Sequence, residues 1–277
     1  MGTLYLVATP IGNLDDISAR ALHTLANVNV IAAEDTRHTR KLLSHFSIDK
    51  KTISYHEHNK LSRLDEVLAY LATGDVALVS DAGTPTINDP GYELVRAVLD
   101  AGHEVTPIPG ASAPIVALSA SGLPTDAFLY LGYLPRKNKA RHNTLKEAAV
   151  YPFTLIFLET PHRLLDSLQA IAEVFGPRQI AVARELTKKF EEIYRGSIPN
   201  AIEHFTRKAP RGEFTLVVAG AHRTDAQTWS EEEVRTAIQT HLQDGMSPSR
   251  VVKVLTADTG WKKKTLYALV NEITAND

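Results

Sequence analysis

The chain's 277 residues, 44% hydrophobic and 22% charged with a formal net charge of −2, have the composition of an ordinary globular protein, not of a disordered, fibrous or broadly basic one. There is no cysteine, which excludes disulfides, thiolate metal ligands, iron–sulfur clusters and cysteine nucleophiles. At roughly 150 residues per domain, the length points to about two domains.

Apolar β-rich runs alternate with helical patterns through the first half. Leu4–Ala8 reads as a strand, followed by Ile17, Ala21, Leu22 and Leu25 at helical spacing behind Asp15 and Asp16 as capping acids. Strands are expected at Val30–Ala33, Ile53–Tyr55, Val76–Ser80 and Glu104–Pro107, with helices at Lys41–Phe46, Leu61–Thr73 and Ser112–Ser121. Asp89-Pro90 reads as an N-cap with Pro at N1, opening the helix that carries Leu94, Val95 and Val98. Such alternation predicts βαβ units and a mostly parallel sheet covered on both faces.

The texture then changes. Phe128–Tyr133 is aromatic and extended, and Pro135–Arg141 is basic. Strands follow at Phe153–Leu158, Gln179–Arg184, Glu191–Arg195 and Phe214–Ala219, with antiparallel pairing expected. Between the first two, Leu164, Leu165, Leu168, Ile171 and Ala172 mark a helix stopped by Gly176-Pro177. From Arg223 onward only helices are expected, at Glu231–Leu242, Ser249–Leu255 and Lys264–Ile273, and a helix–turn–helix-like module is one arrangement they allow. The expected organisation is two α/β domains, 1–118 and 119–222, and a helical tail, 223–277.

The opening MGTLYLVATPIGN lacks the basic and long apolar regions of a secretory signal. The uncharged stretch Val105–Thr125 is interrupted by Pro107, Pro109, Gly110, Pro114 and Pro124, so no membrane span is expected and a cytoplasmic location is.

Three Gly/Pro-rich loops each follow a predicted strand: Thr9–Asn13, Ser80–Pro85 and Pro109–Ser112. In a parallel sheet all three emerge at the carboxyl edge, where α/β proteins bind ligands. Neither the phosphate-cradling G-x-x-x-x-G-K-[ST] nor the dinucleotide G-x-G-x-x-G occurs at these loops. They offer backbone hydrogen bonds and apolar contact but little positive charge, which suits an adenosine bearing an amino-acid portion better than a polyphosphate.

TPIGNL, SDAGTPTINDPG and PGASA resemble the tetrapyrrole-methylase superfamily of S-adenosylmethionine-dependent methyltransferases. Within it, AAEDTRHT (Ala32–Thr39), FLETPHR (Phe157–Arg163), ARELTK (Ala183–Lys188) and RGEFTLVV (Arg211–Val218) resemble the small-subunit ribosomal RNA methyltransferase I family. The resemblance implies two α/β domains with S-adenosyl-L-methionine in the cleft between them. It also implies a homodimer, and methyl transfer to the 2′-oxygen of a cytidine ribose in the decoding region of bacterial 16S ribosomal RNA, free or in the assembled small subunit. The cofactor positions it implies are Pro10, Ile11 and Gly12 in the first loop, Asp81, Ala82, Gly83, Thr84, Pro85 and Ile87 in the second, and Ser112 and Ala113 in the third. Leu158, Ala183 and Thr215 correspond from the second domain.

A sulfonium methyl group is already activated, so the protein's tasks are alignment and removal of the hydroxyl proton. Glu34, Asp35, His56, Glu159 and Glu185 are candidate bases or orienters, and Arg37, Arg184 and Lys188 candidate phosphate or carboxylate partners. Asp35 reads equally well as a helix N-cap. His56-Glu57-His58 reads as a polar loop sooner than a metal site, and no metal is expected. Positive charge is bunched at Arg136, Lys137, Lys139 and Arg141, at Arg207, Lys208 and Arg211, and at Lys262–Lys264; the first and last are the expected RNA contacts. A small-molecule methyltransferase acting on a tetrapyrrole, and a noncatalytic RNA-binding relative, stay open as alternatives.

Overall fold

The computed structural model describes residues 2–207, 209–221 and 229–275. Two compact units emerge, Met1–Leu145 with Thr154–Ala219, and Lys146–Phe153 with Gly220–Asp277. Lys208 and the expected start of the helical tail at 223 lie outside the described residues.

The first unit holds two sheets. Strands β1 (Thr3–Val7), β2 (Val30–Ala33), β3 (Thr52–Ser54), β4 (Val76–Val79) and β5 (Glu104–Ile108) are all parallel, in the order β3-β2-β4-β1-β5. β2 and β4 are buried at every position, as strands covered on both faces must be. Val30 and Ala32 pack with Val67 and Leu71 of α3 (Leu64–Thr73) and Leu94 and Val98 of α4 (Tyr92–Asp100). Ile31 and Ala33 face the other way, onto Ala21 and Leu25 of α1 (Ala19–Asn27) and Leu43 of α2 (Thr36–His45).

Several helix starts differ from the sequence expectation, α2 beginning at Thr36 and not at Lys41, and α3 at Leu64 and not at Leu61. Asp15 and Asp16 sit in a 3-10 turn, Leu14–Asp16, and Ser18 caps α1 by accepting from the Ala21 N–H at 3.1 Å. Asp89 does not cap α4, because Gly91 intervenes with φ 146°. A Cβ there would stand 2.8 Å from Leu78 and Thr86 side-chain carbons, so the chain turns where only glycine fits, leaving Asp89 upstream.

The second sheet orders β6 (Phe128–Tyr133), β7 (Thr154–Glu159), β10 (Phe214–Val218), β8 (Gln179–Arg184) and β9 (Glu192–Ser197) as β6-β7-β10-β8-β9. Pairing is antiparallel as expected, except that β6 runs parallel to β7. The helices of this half are α5 (Ala113–Ser121), α6 (Asn138–Ala148), α7 (Leu164–Phe175) and α8 (Ile198–Thr206). Although α5 follows β5 in the chain, its Ala117 and Leu118 pack with Ile156, Ala181 and Val217 of the second sheet, together with Ile11 and Leu186.

In the second unit, α9 (Glu231–Gln243), α10 (Pro248–Thr259) and α11 (Lys263–Ala275) close around Val234, Ile238, Val251, Leu255, Leu266 and Val270. Ser230 and Glu233 form a capping box on α9. Among the described residues no helix is long and apolar enough to cross a membrane.

Candidate active site

The Gly/Pro loops of the first sheet brace one another at its carboxyl edge. Thr9 and Gly83 exchange backbone hydrogen bonds of 2.8 and 3.0 Å, and the Thr9 hydroxyl donates to the Ser80 carbonyl at 3.2 Å. The Thr84 hydroxyl donates to the Ala111 carbonyl at 3.2 Å, joining the second loop to the third. Gly110 lies so close to β1 that a Cβ would stand 2.8 Å from that of Ala8. The end of β2 joins in, since the Asp81 N–H donates to Glu34 Oε2 at 3.5 Å.

Facing these loops, the second sheet presents one row of side chains. Tyr133 pairs with Leu158, Leu158 with Thr215, and Thr215 with Ala183, across β6, β7, β10 and β8. Residues directly opposite one another share a face of the sheet. All four line a cleft of about 250 Å³, room for one small molecule and not for a polynucleotide.

Most first-sheet residues expected at a cofactor site line this cleft: Ile11, then Asp81 to Thr84, Ile87, Ser112 and Ala113. Ser112 occupies the N-cap position of α5 without making a capping hydrogen bond. Pro10 and Pro85 are buried off the cleft and shape their loops. Gly12 instead abuts the 185–188 loop, where a Cβ would meet Lys188 Cγ at 2.4 Å.

Among the candidate bases and partners the geometry separates sharply. Glu34 and Lys188 line the cleft. Asp35 caps α2 through the Arg37 N–H at 2.7 Å, and Arg37 is exposed on that helix. His56 follows β3, the edge strand of its sheet, beside His58 with ring centroids 6.0 Å apart, and is not in the cleft wall. Among the described residues no cluster could hold a metal ion. Glu159 is 1% exposed, accepts from the Ser167 hydroxyl at 2.6 Å and the Thr160 N–H at 2.8 Å, and pairs with Arg163 at 3.4 Å. The Arg184 guanidinium is engaged by the Arg211 carbonyl and Glu192. Glu185 accepts the Glu213 N–H and the Lys188 ammonium, both at 3.0 Å, and so positions Lys188.

The sequence reading missed Asn88, Asp89, Tyr130, Tyr133, Leu186 and Glu213, which also line the cleft. Asp89 was visible only within NDPG, where it resembles a helix cap. Three carboxylates therefore share the first-sheet wall. Burial, with Asp89 and Asp81 nearby, pushes the Glu34 carboxyl above its usual range. Burial likewise raises Asp89, although the Ser80 hydroxyl favours its charged form. On the opposite wall burial works against the Lys188 ammonium, but Glu213 and Glu185 outweigh it and hold the amine protonated.

Backbone strain gathers on the same two loops. Thr86 and Asn88 have φ of 74° and 65° on one side, and Glu185 and Thr187 have φ of 50° and 66° on the other. Left-handed conformations at non-glycine residues are costly, and persist where the surroundings fix them.

The profile of the family described as "Tetrapyrrole (Corrin/Porphyrin) Methylases" matches residues 3–202. The chain is 49% identical over 278 residues to a Synechocystis protein named ribosomal RNA small subunit methyltransferase I, with all of both chains covered. It is 46% identical to the Escherichia coli O157:H7 protein of the same name, over 96% of this chain and 93% of that one. Among solved structures, it is similar to uroporphyrin-III C-methyl transferase from Thermus thermophilus complexed with S-adenyl homocysteine. The TM-score is 0.54 at 18% identity, covering 78% of this chain and 97% of the other, a likeness of fold.

Proposed function

The chain belongs to the tetrapyrrole methylase family and, within it, to the ribosomal RNA small subunit methyltransferase I proteins, and from that premise we propose that it methylates a cytidine ribose 2′-oxygen in the decoding region of bacterial 16S ribosomal RNA. The observation that carries this reading is the cleft itself, which draws its walls from loops and strands between Ile11 and Thr215, inside the length over which the chain matches those relatives.

The donor set fits S-adenosyl-L-methionine. Ile11, Leu158 and Ala183 offer apolar contact, Ser112 an uncommitted hydroxyl, and Asp81, Asp89 and Glu34 negative charge toward a cationic group. When bound, that cofactor supplies a methyl group activated by its sulfonium. The remaining tasks fall to the chain. Ile11, Asp81 to Thr84, Ile87, Ser112 and Ala113 hold the donor from one side, and Leu158, Ala183 and Thr215 from the other. Glu34, whose raised pKa brings it closer to the acceptor hydroxyl's, takes the proton as general base. Lys188 stays an ammonium and stabilises negative charge developing on the acceptor oxygen. Arg136, Lys137 and Lys139, with Lys262 to Lys264 in the helical unit, contact phosphates. The protein works in the cytoplasm as a homodimer.

Mass-spectrometric mapping of 16S ribosomal RNA with and without this protein tests the reading. One 2′-O-methylcytidine should disappear in its absence and return when purified protein and S-adenosylmethionine are added to the undermethylated subunits. Label passing to a tetrapyrrole and never to RNA would sink it.

A further inference from the structure

Strand β6 is not regular. Tyr130 pairs with Ile156 and Gly132 with Phe157, the next residue along, so Leu131 is an extra residue opposite no partner. In an unbroken strand Tyr130 and Tyr133, an odd number of residues apart, would face opposite sides of the sheet. The bulge brings both rings to the cleft.

The bulge is held in place. Gly132 has φ 63°, and a Cβ there would stand 2.5 Å from Asn88 Nδ2. The Tyr130 hydroxyl donates to Asn88 Oδ1. A left-handed asparagine and a left-handed glycine packed against it thus fix where Tyr133 points.

Tyr133 is 48% exposed, on the edge strand, at the outer end of the row that continues through Leu158, Thr215 and Ala183. Its hydroxyl makes no hydrogen bond to another described residue. Burial, with Glu213 and Asp89 nearby, raises its pKa, so what it offers is a neutral ring. Directly after it come Arg136, Lys137 and Lys139, exposed and without an acidic partner among the described residues. Arg141 turns inward, 5% exposed with Nη2 2.5 Å from Asn138 Oδ1, and drops out of that patch.

An unstacked base on a polynucleotide needs an aromatic face beside a cationic track, and must enter from solvent. A small donor buries most of its own surface deeper in its pocket. We propose that Tyr133 is the platform on which the base of the acceptor nucleotide stacks while its ribose enters the cleft, with Arg136, Lys137 and Lys139 holding the flanking phosphates. This rests on the reading that the cleft methylates RNA.

The test compares Tyr133→Phe and Tyr133→Leu, using undermethylated small subunits for kinetics and calorimetry for S-adenosylmethionine binding. The phenylalanine variant should match the wild type. For the leucine variant kcat/KM toward subunits should fall roughly 5- to 150-fold, the equivalent of ~1–3 kcal/mol for one stacked base, while cofactor affinity holds. Cofactor binding weakened by the same factor would assign the ring to the cofactor and overturn the proposal, as would a fully active leucine variant. If the leucine variant does not fold, the Arg136→Ala, Lys137→Ala, Lys139→Ala triple variant decides: it should bind subunits more weakly with a shallower salt dependence, and an unchanged slope overturns the proposal. Wild-type protein inert on subunits overturns the functional reading itself, and this inference with it.

Discussion

The Asp81 carboxylate accepts the backbone N–H of Asp35 at 3.0 Å, tying the end of β4 to the end of β2 at the cleft wall. Because that bond needs an acceptor oxygen and not a charge, two substitutions separate its roles. Asp81→Asn keeps an acceptor and should melt like the wild type. Asp81→Ala should lose about 1 kcal/mol of stability along with the bond. Calorimetry should show cofactor affinity reduced about tenfold or more in the alanine variant. Affinity lost equally in both variants would assign the cofactor effect to Asp81's charge, and affinity lost in the alanine variant alone would assign it to the clasp.

Glu34 ties stability to pH. Its carboxyl holds a proton to higher pH in the folded chain than in the unfolded one, where the ordinary value is 4.5. Between those two values the folded state binds more protons, so this group's contribution to stability is whole at low pH and is lost as pH rises through the folded pKa. Glu34→Gln should therefore melt higher than the wild type at about pH 8, with the gap closing on acidification. Methyl transfer should fall sharply in the same variant if Glu34 is the base. A variant that melts lower at every pH would contradict this account.

Much of the first sheet was legible because strands buried on both faces are written as unbroken apolar runs, as in Val30–Ala33 and Val76–Val79. The loops that line its side of the cleft were legible from glycine and proline. The catalytic candidates were not, since a carboxylate at a strand end looks alike whichever way it points. Leu158 lines the cleft, so its neighbour Glu159 on β7 must face away by the pleat, and Arg184 beside Ala183 on β8 does the same. Tyr133 shows the converse. Alternation read from the sequence separates it from Tyr130, and only the bulge at Leu131, set by Asn88 from the other half of the cleft, reunites them.

Gly12 is required by close approach between loops. An added Cβ would come 2.4 Å from Lys188 Cγ and 2.8 Å from Thr187 Oγ1, where the Asn13 N–H now donates at 3.0 Å. Gly12→Ala should cost about 1–3 kcal/mol through overpacking and displace the Lys188 ammonium, lowering kcat. Adding Lys188→Ala removes the clashing Cγ, so the double variant should regain part of the lost stability and none of the activity. Melts and single-turnover rates on the four proteins of this cycle check the coupling.

Glu159 offers a control for the assignment of roles. Its carboxylate is buried and engaged by Ser167, Thr160 and Arg163. Glu159→Ala strands those partners and should destabilise by about 3 kcal/mol. Rate per folded molecule, measured below the variant's melting temperature, should stay near that of the wild type. A slower rate with unchanged stability would return Glu159 to the reacting centre.

Lys262, Lys263 and Lys264 are exposed where α11 begins, and no acidic side chain among the described residues pairs with them. Their charge is therefore free for phosphates, and each lysine–phosphate pair removed should lower the slope of log affinity against log salt by about 0.7–0.9. Replacing all three by alanine should weaken binding to 16S ribosomal RNA and flatten that slope, while cofactor affinity is unchanged, because none of the three lines the cleft. Subunit-binding titrations across a salt series check it. An unaltered slope would mean that the helical unit carries these lysines as solvated surface and that the RNA is held elsewhere.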